Sequence, residues 1–174
     1  MTSSEKAAQE LCQSCGLCCE GLLHSHGALM PHEVGEAAAL GLDLIEGAEP
    51  GFSLPCPRFD RCCTIYEMRP NACRGFRCAL LRRLDEGSVD LDDALEIVSE
   101  ALKLGNEAMP GATAAELAKR FREHLRMRNS GHADGMNSAE RLRFIALALF
   151  LDRHFVLPGD GNFYSFLPVE SSQN

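Results

Sequence analysis

All nine cysteines of the chain lie between Cys12 and Cys78, and none occurs in the 96 residues that follow. Cysteines used as small apolar packing residues would be scattered through a core. Confinement to one stretch ties that half of the chain to the chemistry of sulfur. Residues 1–11 read MTSSEKAAQEL, with charges and Gln where a secretory leader needs an apolar centre. The expected location is therefore the cytoplasm, where clustered thiols serve as metal ligands or redox groups rather than as disulfides. An odd number of cysteines also fits a fully disulfide-bonded framework poorly.

The first group, Cys12-x2-Cys15-x2-Cys18-Cys19, has the two-residue gaps that let successive sulfurs converge on one centre, as in zinc ribbons and ferredoxin loops. Gly16 lets the backbone bend tightly between ligands. Adjacent side chains diverge, so Cys18 and Cys19 would strain a single mononuclear ion. They serve either two separate centres or one polynuclear cluster. The second group is Cys56, Cys62, Cys63, Cys73 and Cys78, with Pro57 and Pro70 stiffening the chain between them. Eight thiolates suffice for two tetrahedral sites, which leaves one of the nine to spare and makes Cys62 the weakest candidate.

Local charge supports the same reading. Between Cys56 and Cys78 lie Arg58, Arg61, Arg69, Arg74 and Arg77 against Asp60 and Glu67, a local balance of +3 in a chain of net charge −8. Four thiolates around a divalent ion leave an excess of about two negative charges, which nearby guanidinium groups would offset. Those arginines are also expected to lower the thiol pKa values. The overall charge of −8 argues against nucleic acid or acidic membranes as partners. The longest apolar run, residues 144–151, has 8 residues, far short of the roughly 20 needed to span a bilayer.

The second half reads as helical. Asp90 caps a helix in which Leu91, Leu95, Val98 and Leu102 recur on one face, closed by Gly105, Pro110 and Gly111. Thr113 and Glu116 form a capping box before a helix lined by Leu117, Phe121 and Leu125. Asn137 and Glu140 form another, before a helix predicted to turn Leu142, Ile145, Ala146 and Leu149 inward. In the first half, Thr2 and Glu5 predict a short helix leading into Cys12. Pro31 starts a helix ending near Gly41, Gly21 to Met30 is a short strand or an irregular crossing, and residues 50–57 form an extended loop. A short strand is expected over residues 162–167. The fold class is mainly α: an irregular, cysteine-rich, metal-stapled region over residues 1–87, with about three helices over residues 88–174 packed against it.

The blocks CQSCGLCC, CPRF and CTIYEMRPNACRGFRC resemble the cysteine-cluster family with a CxxCxxCC signature, often called YkgJ-like and described as zinc- or iron-chelating. The resemblance runs through Cys56, Pro57, Phe59, Cys63, Ile65, Tyr66, Glu67, Arg69, Pro70, Cys73, Arg74, Phe76 and Cys78. It implies eight ligands: Cys12, Cys15, Cys18, Cys19, Cys56, Cys63, Cys73 and Cys78, with Cys62 outside the pattern. It implies zinc or iron as the metal, and chelation rather than a particular reaction. The adjacent Cys18–Cys19 pair and the C-x2-C-x2-C run give the alternative: an iron–sulfur cluster as cofactor, in a protein of electron transfer or of maturation or modification of a partner protein.

Other polar residues have plainer readings. His24 and His26 follow Cys19 closely enough to join a mixed site, but are expected to be exposed strand residues, and His32 faces solvent. Glu67 is expected to pair with an arginine while Tyr66 packs over the metal loop. Lys119, Arg120, Arg122, Arg126 and Arg128 make the solvated face of an amphipathic helix. His132 and Asp134 sit in a Gly-flanked loop without a nucleophile. No phosphate loop or nucleophile elbow is present, so no catalytic residue is assigned and the chain reads as a metal-binding protein rather than an enzyme.

Overall fold

The structure, a computed structural model, describes residues 3–47, 49–129 and 135–157. Helix α1 (Ser3–Cys15) buries Ala8 and Leu11 and carries Cys12 and Cys15 on its last turn. Gly16 ends it with φ of +65°, the left-handed conformation that glycine adopts without a Cβ penalty. The next five residues coil tightly: the Glu20 N–H donates to the Gly16 carbonyl at 2.8 Å and the Leu22 N–H to the Leu17 carbonyl at 3.0 Å. The capping box expected at Thr2 lies outside the described residues.

Three short antiparallel strands follow. The middle one is β3 (Gly51–Ser53), flanked by β1 (His26–Ala28) and β2 (Leu44–Ile45), with His26 opposite Ser53 and Leu44 opposite Phe52. The stretch expected as an extended loop thus contributes the central strand. Between β1 and β2, Pro31 opens a 3-10 turn (Pro31–Glu33) that runs into α2 (Val34–Ala39). A hairpin of β4 (Phe59–Asp60) and β5 (Cys62–Cys63) comes next, turning at Arg61, whose φ is 59°. A 3-10 turn (Tyr66–Met68) and helices α3 (Asn71–Gly75) and α4 (Ala79–Asp85) complete the first half.

The three expected long helices are present as α5 (Leu91–Ala108), α6 (Ala114–Asn129) and α7 (Ser138–His154). Their starts are capped as the sequence predicts. Asp90 Oδ1 accepts from the Asp93 N–H at 2.9 Å, Thr113 and Glu116 bond reciprocally, and so do Asn137 and Glu140.

Three expectations about these helices are overturned. On α7 the buried face is Phe144, Leu147, Ala148 and Leu151, while Leu142 and Leu149 stand 65% and 56% exposed, Ala146 is exposed and Ile145 is only half-buried. A run that is apolar on every side has no amphipathic stripe from which to read the inward face. On α5 the buried stripe is Ala94, Val98, Ala101, Gly105 and Ala108, and Leu102 points outward. Gly105 does not close that helix. It lies inside it, where a Cβ would come within 3.0 Å of Leu117 Cδ2 on α6.

Two apolar clusters result. The larger joins α1, α4, α5, α6 and α7 around fully buried Leu17, Leu80, Phe121, Leu147, Leu151 and Phe155. The smaller, of Leu29, Ala37, Leu42, Phe52 and Ile65, lies under the three-stranded sheet. Among the described residues no helix is long and apolar enough to cross a membrane.

Candidate metal centre

Eight of the nine cysteines line one cavity of about 270 Å³ between the two apolar clusters: Cys12, Cys15, Cys18, Cys19, Cys56, Cys63, Cys73 and Cys78. Cys62 does not. Strand geometry explains the exception, because successive side chains on β5 point to opposite faces. Cys63 opposes Phe59 and faces the cavity, while Cys62 opposes Asp60 and is exposed.

The eight thiols divide by the element that carries them. Cys12 and Cys15 come from α1, and Cys78 caps α4, its sulfur accepting the Leu81 N–H at 3.4 Å. Cys15 and Cys78 both pack against the larger cluster, and Cys18 is the most enclosed neighbour of these three. Cys56 and Cys63 pack against the smaller cluster. Cys19 joins them, since the Cys56 N–H donates to the Cys19 carbonyl at 2.7 Å. Cys73, on α3, lies close enough to Cys56, Cys63 and Cys19 for their charges to repel one another. The adjacent pair Cys18–Cys19 therefore faces two ways, and Cys12 stands where the two groups meet, a neighbour of Cys15 on one side and of Cys63 on the other.

Burial dominates the electrostatics. It pushes Cys15 up to about 12 and Cys73 up to about 11, and raises Cys12, Cys18, Cys19, Cys56 and Cys78 as well. Mutual repulsion between neighbouring thiolates adds to the effect. The expectation that arginines would lower these values is overturned in its net sign. Arg69 opposes the rise at Cys12 and Cys73, Arg77 at Cys12 and Arg58 at Cys56, but desolvation outweighs them all. Cys12 and Cys73 keep part of their surface in solvent, yet the protein around their sulfurs is enough to favour the neutral thiol.

Seven of the eight are thus held as uncharged thiols in the metal-free chain. Among the described residues, no three His, Cys, Asp or Glu side chains already stand as a group that would hold a metal ion. The chemistry of the donors fits zinc or iron: eight thiols around one cavity are the ligand type both metals take as thiolates. Closing a site requires the sulfurs to lose protons and draw inward, as metal binding does.

Residues 11–96 match a family model whose description is "CxxCxxCC: putative zinc- or iron-chelating domain". This segment is a CxxCxxCC domain. No curated protein and no solved structure matches the chain. The CxxCxxCC domain runs from the last turn of α1 to the first turns of α5, so it includes every cysteine and the apolar wall made by Leu11, Leu17, Leu80 and Leu81. Phe155, just past α7, and Val98 complete that wall from outside the matched segment.

The remaining candidates are placed as follows. His24 and His26 both line the cavity and are exposed; His24 meets Phe76 edge-on with ring centroids 4.6 Å apart, and His26 Nδ1 lies 3.0 Å from Ser25 Oγ. His32 is exposed. Tyr66 lines the cavity with the Arg69 guanidinium 3.4 Å above its ring. Arg74 reaches the carbonyl oxygens of Glu67 and Arg69, not the Glu67 carboxylate as the sequence suggested. On α6, Arg120 pairs with Glu123 at 3.0 Å and Arg122 donates to the Gly21 carbonyl, so that part of the basic face fastens the helix to the cysteine loop. His132 and Asp134 lie outside the described residues, as do residues 162–167.

Proposed function

We propose that the chain is a non-enzymatic metal-binding protein of the cytoplasm, with residues 1–87 as the binding region and residues 88–174 as its helical support. The ligands are eight thiolates in two sets of four: Cys12, Cys15, Cys18 and Cys78 against the helical core, and Cys19, Cys56, Cys63 and Cys73 against the sheet. The observation that carries this reading is the convergence of eight cysteines on one cavity, with the ninth turned away. Two tetrahedral four-sulfur sites use that set completely, and zinc is the metal such closed sites suit best.

Iron is the second reading, supported by one feature. The first set has the C-x2-C-x2-C run with a distant fourth cysteine, the ligand pattern of a four-iron cluster. Anaerobic purification followed by elemental analysis and an absorption spectrum separates the two. About two zinc ions per colourless chain meets the first reading; iron with inorganic sulfide and broad absorption near 400 nm, roughly, meets the second. Metal-free protein with all nine thiols reactive after growth with both metals refutes both.

A further inference from the structure

Five arginines lie among the cysteines of residues 56–78, and four are committed elsewhere. Arg58 Nε donates to the Leu40 carbonyl. Arg74 bridges the carbonyls of Glu67 and Arg69, and Arg77 Nε lies 3.6 Å from Asp85 Oδ2. Arg61, at the hairpin tip, is solvent-exposed beside Asp60 at 3.7 Å. Arg69 differs from all of them. Its Nε and Nη1 are buried without a hydrogen-bond partner, and its side chain forms part of the cavity wall.

Local structure fixes that placement. In a 3-10 turn, side chains three residues apart eclipse one another, which sets the Arg69 guanidinium over the Tyr66 ring. Pro70 holds the residue before it in extended backbone, and Arg69 has φ of −62° and ψ of 148°. The stacking on Tyr66 accounts for the face of the guanidinium but not for its in-plane donors. Buried donors on a cation are costly to leave without acceptors, more so than those of a neutral group. Such a group is retained where something bound supplies the acceptors. Neutral thiols accept weakly, whereas metal-bound thiolates carry charge and take N–H donors well.

The geometry points to Arg69 as the donor to the metal-bound thiolates of Cys12 and Cys73, one from each four-cysteine set, so that a single guanidinium braces the seam between the two centres. This rests on the metal-binding reading above and adds to it one positioning residue. Arg69 touches no metal. It orients and partly neutralises two ligands, as hydrogen-bonding partners behind metal ligands do elsewhere.

The test compares zinc affinity, by competition with a chromophoric chelator under reducing anaerobic conditions, in wild type, Arg69→Gln, Arg69→Lys and Arg61→Gln. Cobalt-loaded samples of each give the sulfur-to-cobalt charge-transfer band. Arg69→Gln is expected to bind about 10- to 100-fold more weakly, with the band moved to longer wavelength because the sulfurs lose their donors. Arg69→Lys keeps the cation but not the fork, and is expected to fall between wild type and the glutamine variant. Arg61→Gln should match wild type. Unchanged affinity and band position in both Arg69 variants overturn the role of Arg69 while leaving metal binding intact, and so does an equal loss in Arg61→Gln. Should Arg69→Gln not fold, the band and affinity of Arg69→Lys decide in the same two directions. A wild-type chain that takes up neither zinc nor cobalt refutes the metal-binding reading itself, and this inference with it.

Discussion

Replacing Gly16 by alanine tests whether the cysteine loop is held by packing as well as by metal. Gly16 and Gly87 have nearly the same left-handed backbone, with φ of +65° and +71°. For alanine that conformation costs about 1–2 kcal/mol at either position. Their surroundings differ completely. A Cβ at Gly87 meets nothing within 4 Å, whereas one at Gly16 falls 2.2 Å from Phe59 Cζ and 2.8 Å from Cε1. The ring must withdraw, and it sits on β4 directly opposite Cys63. Overpacking of this kind adds about 1–3 kcal/mol. For a chain of this size 1 kcal/mol lowers the melting temperature by about 2–4 °C. Gly87→Ala should therefore melt about 2–8 °C below wild type, and Gly16→Ala a further 2–12 °C, roughly, below that. Thermal denaturation of the three proteins, purified with matched metal content, measures the difference. Adding Phe59→Leu to Gly16→Ala should recover most of the extra loss, since the two sites are in contact and their effects are coupled. Equal losses at the two glycines, or no recovery in the double variant, would refute the packing argument.

Individual cysteines should divide by set. Cys18→Ser and Cys19→Ser are each expected to lose one metal ion while keeping the other, and Cys62→Ser to lose none, read by elemental analysis of the purified variants. pH should act with opposite sign on the two forms. In the metal-free chain, thiols raised from 9.0 to about 12 at Cys15 and about 11 at Cys73 stay protonated after the unfolded chain has begun to ionise. Stability is then complete below pH 9 and falls as pH rises toward 11 and 12, because the native state binds more protons than the unfolded one. Metal uptake instead strengthens as pH rises, since each ligand must give up a proton, and potentiometric titration during loading should release about four protons per ion. A strong chelator under reducing conditions should lower the melting temperature of the loaded protein markedly; identical curves with the metal confirmed removed would count against a stabilising metal.

Features that depend on neighbours in sequence were legible in it. The capping pairs Thr113–Glu116 and Asn137–Glu140 start helices where they should, because a cap is made within four residues. The membership of the thiol group followed from motif resemblance, and the cavity draws in the same eight residues. What escaped was set by contacts distant along the chain. Arg58 is drawn off to Leu40, 18 residues away, so a count of basic residues near the cysteines overstated the charge available to them, and Arg122, read as part of a solvated face, reaches Gly21, 101 residues away. The inward face of α7 escaped for a different reason, since periodicity is silent where every side of a helix is apolar. The small helices α3 and α4 are too short to announce themselves by pattern, and they are what turn Cys73 and Cys78 toward the other sulfurs.

The mis-signed thiol pKa values join these points into one physical account. Counting charges treats the arginines as acting across an open surface, where +3 against thiols would favour thiolate. The cavity wall is instead made of Leu11, Leu17, Phe52, Ile65, Leu80 and Phe155, and it removes the solvent that a free thiolate needs. The same wall strengthens every attraction that survives inside it, including that between a thiolate and a cation. An empty cavity is therefore most stable with neutral sulfurs. One filled by a divalent ion gains from the low-dielectric surroundings that penalise the bare anion. The apolar helices of the second half, which carry no cysteine, matter to the site for this reason: Val98 and Phe155 supply dryness rather than ligands. Replacing Phe155 by a polar residue should lower the thiol pKa values and weaken metal retention together, two effects that simple charge counting would place in opposition.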